Sequence, residues 1–316
     1  MAKREKIIFS IVAILCSLIV GAYTFFQIRA YVANPVCFSV KDTLPDGNGK
    51  KVKVILLGGQ SNASGCSSDE YLKQNVSAEQ YAEYENGYDN VYINYFATGT
   101  NHSSEFVKCA ARQGELGTHF GPELGMADKL NERYPDETFF IIKWAWGGSN
   151  LYDQWRAPSS EGGTGDFYLQ FVQYVKTSLQ YLTDKNYDIE IEGMCWMQGE
   201  SDSFSVTDAS NYGSNLTDLI KDLRREFSPY AADNGIAFVD AYIADNPVYW
   251  VYCEIVNQQK DRVAASSSMN VLVDTISEGL TCSEEPQPTP DLAHYDSLSQ
   301  IKLGHLFVEH LAPFLE

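Results

Sequence analysis

An α/β fold is what this sequence predicts: a three-layer α/β/α sandwich built on a central parallel sheet. Two observations predict it. Short, near-continuous apolar runs alternate with longer amphipathic runs from residue 51 to the end, the pattern of strands buried on both faces by crossover helices. No internal repeat and no linker interrupts residues 51–316, so one domain is expected there.

The elements follow in order. "KVKVILLG" (51–58) and "NVYINYF" (90–96) read as strands, rich in β-branched and aromatic residues. "GPELGMADKLNERYP" (121–135) reads as a helix with Pro122 in its first turn, where a missing N–H costs nothing. "TFFIIKWAW" (138–146) is a strand and "DFYLQFVQYVKTSLQYL" (166–182) a long amphipathic helix. A strand at 189–197, a helix at 206–227 that stops before Pro229, and strands at 235–242 and 270–275 come next. A helix over 298–311 closes the series.

Residues 1–33 read as a separate segment. "MAKREK" is basic, and residues 7–26 are twenty in a row without a charge, enough for a helix of about 30 Å. The cleavage signal of a secretory leader is poor here, because Tyr31 stands at the minus-three position before Ala33. An uncleaved anchor with its N-terminus inside is therefore expected, with a cleaved signal as the alternative, and either puts the domain outside the cytoplasm. Residues 34–50 read as a connector ending in "PDGNGK".

Charge narrows the partners. The chain carries −19, and residues 1–33 carry +3, so the remainder carries −22. Such a domain repels nucleic acid and anionic lipid, and membrane contact is expected through the N-terminal segment only. Six cysteines lie outside the apolar segment without a C-x-x-C pair, so metal-ligand spacing is absent and disulfide pairing is not readable. No dinucleotide or mononucleotide phosphate loop occurs, so neither cofactor nor metal is expected. Sequons fall at Asn62, Asn75, Asn101 and Asn215.

In parallel sheets the site lies beyond the carboxyl ends of the strands. Three polar turns, "GGQSN" (58–62), "WGGSN" (146–150) and "QGESD" (198–202), each follow an apolar strand and so share that rim. Ser61 in the first turn is a candidate nucleophile, although the elbow G-x-S-x-G fails at Ala63. Among five histidines, His294 in "TPDLAHYDS" lies between the last strand and last helix, on the same rim. Asp291, three residues earlier, suits a partner that fixes the imidazole tautomer. Backbone N–H groups of Gly147 and Gly148 and the Gln198 amide are candidate donors to an oxyanion.

The blocks "GGQSNASG", "KWAWGGSNL", "WMQGESD" and "DLAHYDSLSQIKLG", in that order, resemble those of the SGNH hydrolases. More narrowly they are similar to the carbohydrate-esterase branch, with its acetyl xylan esterases and sialate O-acetylesterases, over about residues 52–312. The resemblance implies the flavodoxin-like sandwich of that superfamily and an acetylated carbohydrate substrate. It implies Ser61 as nucleophile, His294 as base and Asp291 as the orienting acid. It also implies an oxyanion hole from Ser61, Gly148 (with Gly147 beside it) and Gln198. Gln60, Asn62 and Glu200 fall in the same blocks, Glu200 either as a buttressing carboxylate or as the acid paired with His294. Trp155, in "YDQWR", is the tryptophan expected to expose a flat face to a sugar ring. The rival readings are a non-catalytic carbohydrate-binding surface domain and a lipase-like esterase of the same superfamily.

Overall fold

The structure, a computed structural model, describes residues 38–99 and 101–316. The apolar segment expected to anchor the chain lies outside the described residues. Among those described, no helix is long and apolar enough to cross a membrane.

Six strands form the parallel core of the sheet: β1 (Lys51–Gly59), β2 (Val91–Ala97), β3 (Phe139–Ala145), β4 (Asp188–Met197), β5 (Ala237–Ala241) and β6 (Asn270–Val273). Their spatial order is β2-β3-β1-β4-β5-β6, all parallel. Two short antiparallel pieces, Asn101–His102 and Val107–Lys108, cover the outer edge of β2, blunting an otherwise open edge. Every residue of β3 is buried, which is why its run is apolar throughout except for Lys143.

The helices that cross over the sheet are α1 (Pro122–Arg133), α2 (Asp166–Asp184), α3 (Val206–Phe227), α4 (Cys253–Ala264) and α5 (Ser297–Leu315). Successive strand residues point to opposite faces, and β4 shows which helices lie where. A Cβ on Gly193 would sit 2.5 Å from Leu311 of α5. Trp196, three residues on, turns the other way and packs edge-on against Trp155, its indole N–H on the Tyr212 hydroxyl of α3. Helices α1 and α5 meet closely through glycines, since a Cβ at Gly125 would lie 2.1 Å from the Ile301 carbonyl. The three layers expected from the alternation are thus present.

Residues 38–50, read as a connector, contain neither helix nor strand but are fastened to the domain. Phe38 packs edge-on against Phe96 and Tyr174. The Tyr181 hydroxyl accepts from the amides of Thr43 and Leu44. Helix α4 went unread because two of its buried positions are Asn257 and Lys260, which breaks the apolar period. The five cysteines described, Cys66, Cys109, Cys195, Cys253 and Cys282, are free thiols.

Strand register is what assembles the rim. Gly59 at the end of β1 pairs with Ala145 on one side and Met197 on the other, so all three polar turns leave the sheet at one level. Gly59 has φ +139°, and a Cβ there would lie 2.0 Å from the Met197 carbonyl oxygen. Gly59→Ala is therefore expected to cost ~3 kcal/mol or more, by overpacking against backbone and by strain at positive φ. Thermal denaturation checks this, and an unchanged melting temperature would refute it.

Candidate active site

Ser61 opens a four-residue helix, Ser61–Ser64. Its backbone N–H and its hydroxyl have no hydrogen-bond partner among the described residues, and the residue is 8% exposed at the rim. The turn is fixed from below. Gln60 N–H donates to the Met197 carbonyl, and Gln60 Oε1 accepts from the amides of Gly199 and Ser201. Asn62 fixes it laterally: Oδ1 accepts the Tyr295 amide at 3.1 Å, while Nδ2 donates to Glu200 Oε1 at 2.9 Å and to the Ala293 carbonyl at 3.4 Å. These two backbone contacts bracket His294, so one asparagine seats the histidine loop beside the serine turn. At 2% exposure Asn62 is also out of reach of glycosylation in the folded state.

His294 Nδ1 lies 2.6 Å from Asp291 Oδ2. The carboxylate partner assigns the ring proton to Nδ1 and leaves Nε2 as a base. Burial works against protonating this ring, yet the Asp291 hydrogen bond, its charge, and the charges of Glu115 and Glu200 outweigh it and raise the pKa. For Asp291, burial pushes upward, but the hydrogen bond and charge of His294 win and hold the carboxyl below its usual range. Asp291 is thus the acid on the imidazole. Glu200 takes the other role weighed for it: it is fully buried and bonded to Asn62, and burial raises its pKa.

The second turn carries Gly148 at φ +68°, exposed, its N–H without an acceptor among the described residues. Gly147 is committed elsewhere, since its N–H donates to Thr98 Oγ1 at 3.0 Å. Gln198 also departs from expectation. Its amide nitrogen donates to Asp202 Oδ2 at 2.7 Å and to the Ser149 carbonyl at 3.0 Å, with Gln60 Oε1 at 3.2 Å, so both N–H groups are used inside the protein. Tyr212 holds the other end of that amide, its hydroxyl 3.0 Å from Gln198 Oε1. Gln198 therefore joins the turns together, and of the candidate donors the amides of Ser61 and Gly148 are the ones without an acceptor among the described residues.

Trp155 requires a second correction. It is fully buried, with its indole N–H on Ser149 Oγ at 2.8 Å and its ring edge-on to Trp144 and Trp196. It braces the Gly148 turn from inside and presents no face to a sugar.

Two acids were not singled out from sequence. Asp202, the last residue of "QGESD", accepts the amides of Leu151 and Tyr152 besides Gln198, and burial lifts its pKa to about 6. Its place in that block was the only signal. Glu115 comes from a loop, "RQGELG", with no signal at all; its Oε1 accepts from Thr98 Oγ1 at 2.5 Å, and Thr98 in turn holds Gly147. Cys66, beside the histidine, is no rival nucleophile, because burial and the Glu115 carboxylate push its thiol well above the ordinary range. His119 shares the adjoining cavity, its pKa lowered by burial. His305 is far from the rim, on Asp128 at 2.8 Å.

The assembly offers a hydroxyl, a base with its orienting acid, and two free amide donors, the parts an acyl transfer site needs. Catalysis through His294 requires the neutral ring, so the acid limb of kcat/KM against pH should lie above the ordinary histidine value of ~6.5. Asp291→Asn removes the charge that raises it, and the limb should move to lower pH as the maximal rate falls. A limb that stays in place, or rises, would remove Asp291 from this role.

Comparisons with other proteins bear on the fold and the family. Solved structures share the fold, three of them as follows. A protein of Arabidopsis thaliana is 20% identical, with a TM-score of 0.59, covering 86% of this chain and 100% of that one. NanS is 16% identical, with a TM-score of 0.59, covering 86% and 99%. A carbohydrate acetylesterase from Xanthomonas citri is 18% identical, with a TM-score of 0.54, covering 82% of this chain and 56% of that one. No curated protein matches the chain by sequence. Residues 51–312 match the family described as "Carbohydrate esterase, sialic acid-specific acetylesterase"; the chain belongs to that family and is a carboxylic ester hydrolase of the SGNH type.

Proposed function

We propose that this esterase removes O-acetyl groups from carbohydrate through an acetyl-serine intermediate, with Ser61 as nucleophile. The observation that carries this is the Asp291–His294 hydrogen bond of 2.6 Å, held beside the Ser61 turn by Asn62. His294 Nε2 takes the Ser61 proton as Oγ attacks the acetyl carbonyl. The resulting oxyanion accepts from the amides of Ser61 and Gly148, which have no acceptor among the described residues. The C–O bond to the sugar then breaks, and the departing oxygen receives the proton from His294. Water enters, loses a proton to His294 and attacks the acetyl-serine; acetate leaves and Ser61 recovers its proton. The Ser61 hydroxyl makes no hydrogen bond among the described residues, and its bond to His294 forms as substrate binds.

A short acyl group suits this rim. The turns that hold the carbonyl are backbone and small polar side chains, so added methylenes stay in water and forgo about 0.8 kcal/mol each. The uncharged run over residues 7–26 and the basic residues Lys3, Arg4 and Lys6 before it support a membrane-anchored enzyme facing outside the cytoplasm.

The test is acetate release. Ser61→Ala should fold as the parent does and lose deacetylation by about 10³-fold or more; near-parental activity would end the reading. With 4-nitrophenyl esters, kcat/KM should fall from acetyl to butyryl to octanoyl, whereas a flat or rising series would favour a lipase-like enzyme.

A further inference from the structure

A cavity of about 330 Å³ opens beside the catalytic pair, lined among others by Tyr71, His119, Glu285, Asp291 and His294. That volume lies at the small end of ligand pockets, ~300–1,000 Å³, and suits one or two sugar rings rather than a long chain. Apart from two histidines, the charged side chains of its lining are carboxylates. Glu285 and Asp291 line it, and neither lysine nor arginine does. A Cβ on Gly147 would lie 2.5 Å from Glu115 Oε1, so this carboxylate rests against the oxyanion turn, and its charge reaches His294, His119 and Cys66.

Three cations among the described residues are already paired with carboxylates. Lys143 Nζ is fully buried, 2.7 Å from Glu123 Oε2 and 3.1 Å from the Gln113 carbonyl. Lys260 Nζ is fully buried, 2.6 Å from Asp240 Oδ1 and 2.8 Å from the Ala241 carbonyl. Arg112 bonds Asp69 and Glu85. The chain beyond residue 33 carries −22 in all. A ligand carboxylate entering here would shed water without gaining an ion pair, and would meet Glu115, Glu285 and Asp291 at short range.

We infer that the site selects uncharged acetylated sugars over acetylated sugars bearing a carboxylate, with Glu115 as a specificity-determining residue. The inference rests on the acetylesterase reading above and sharpens it: the family description names sialic acid, an anionic sugar, whereas the charges around this site favour a neutral pyranose ester.

The experiment compares acetate release from an O-acetylated methyl glucuronoside and from the methyl ester of the same compound, which differ by one charge. At low salt the ester should be the better substrate by roughly tenfold or more, the scale of one repulsive unit charge at a partly exposed site. Raising salt from about 0.01 M to about 1 M shortens the screening length from ~30 to ~3 Å, so the ester-to-acid ratio should shrink. Glu115→Gln keeps an oxygen for Thr98 and removes the charge, and the ratio should fall several-fold whatever happens to the absolute rates. The salt series needs no variant and decides the matter even if Glu115→Gln folds poorly. An ester-to-acid ratio near one at low salt, or one that does not respond to salt, would overturn the inference. Hydrolysis of 4-nitrophenyl acetate, and its loss in Ser61→Ala, reports separately on the esterase reading, which survives an equal turnover of acid and ester.

Discussion

The side chain of Asn62 is the constraint on which the site depends. Three segments distant in sequence meet on it: its own serine turn, Glu200 of the β4 turn, and the backbone on both sides of His294. The backbone carbonyl of Asn62 takes a fourth, accepting from the Gln300 side chain in α5 at 2.7 Å. An amide with two donors and one acceptor, all used in a dry place, tolerates little displacement. The serine turn and the histidine loop are therefore joined by hydrogen bonds made next door to the Ser61 hydroxyl and the imidazole.

Behind this knot the protein keeps an unusual amount of buried charge. The pairs Lys143–Glu123 and Lys260–Asp240 are both buried, as are Asp202 and Glu200. Burial of ions costs more than their attraction returns unless further hydrogen bonds complete them. Here the completion is visible. Lys143 also reaches the Gln113 carbonyl, Glu123 accepts the Gly121 amide, and Asp202 takes two amides of the loop after Gly148. These groups fix loops that carry no secondary structure of their own, and fixing loops is what an oxyanion turn requires. Glu200 and Asp240 are the exceptions, because Glu200 Oε2 and Asp240 Oδ2 have no partner among the described residues; burial raises the pKa of both, and the charge of Glu200 still supports the imidazolium.

Much of this was legible in the sequence, for identifiable reasons. Strands buried on both faces must be apolar throughout, so β1, β3 and β4 announced themselves, and the polar turns after them marked the rim. Asp291 and His294 were readable because three residues of one loop bring them together. What escaped depends on contacts between distant segments. Trp155 sits among polar neighbours, yet Ser149 satisfies its N–H and lets the ring go inside. Gln198 has the right group in the right block, but Asp202 four residues later claims it. Glu115 acts through Thr98, seventeen residues away, and no local pattern encodes that.

The central claim is that this architecture makes one serine, Ser61, nucleophilic through His294. Labelling the folded protein with diisopropyl fluorophosphate and locating the adduct by peptide mass spectrometry tests it most directly. A single adduct on Ser61, lost in His294→Ala while the fold persists, is the expected result. A label on another residue, or Ser61 labelled equally well without His294, would contradict it.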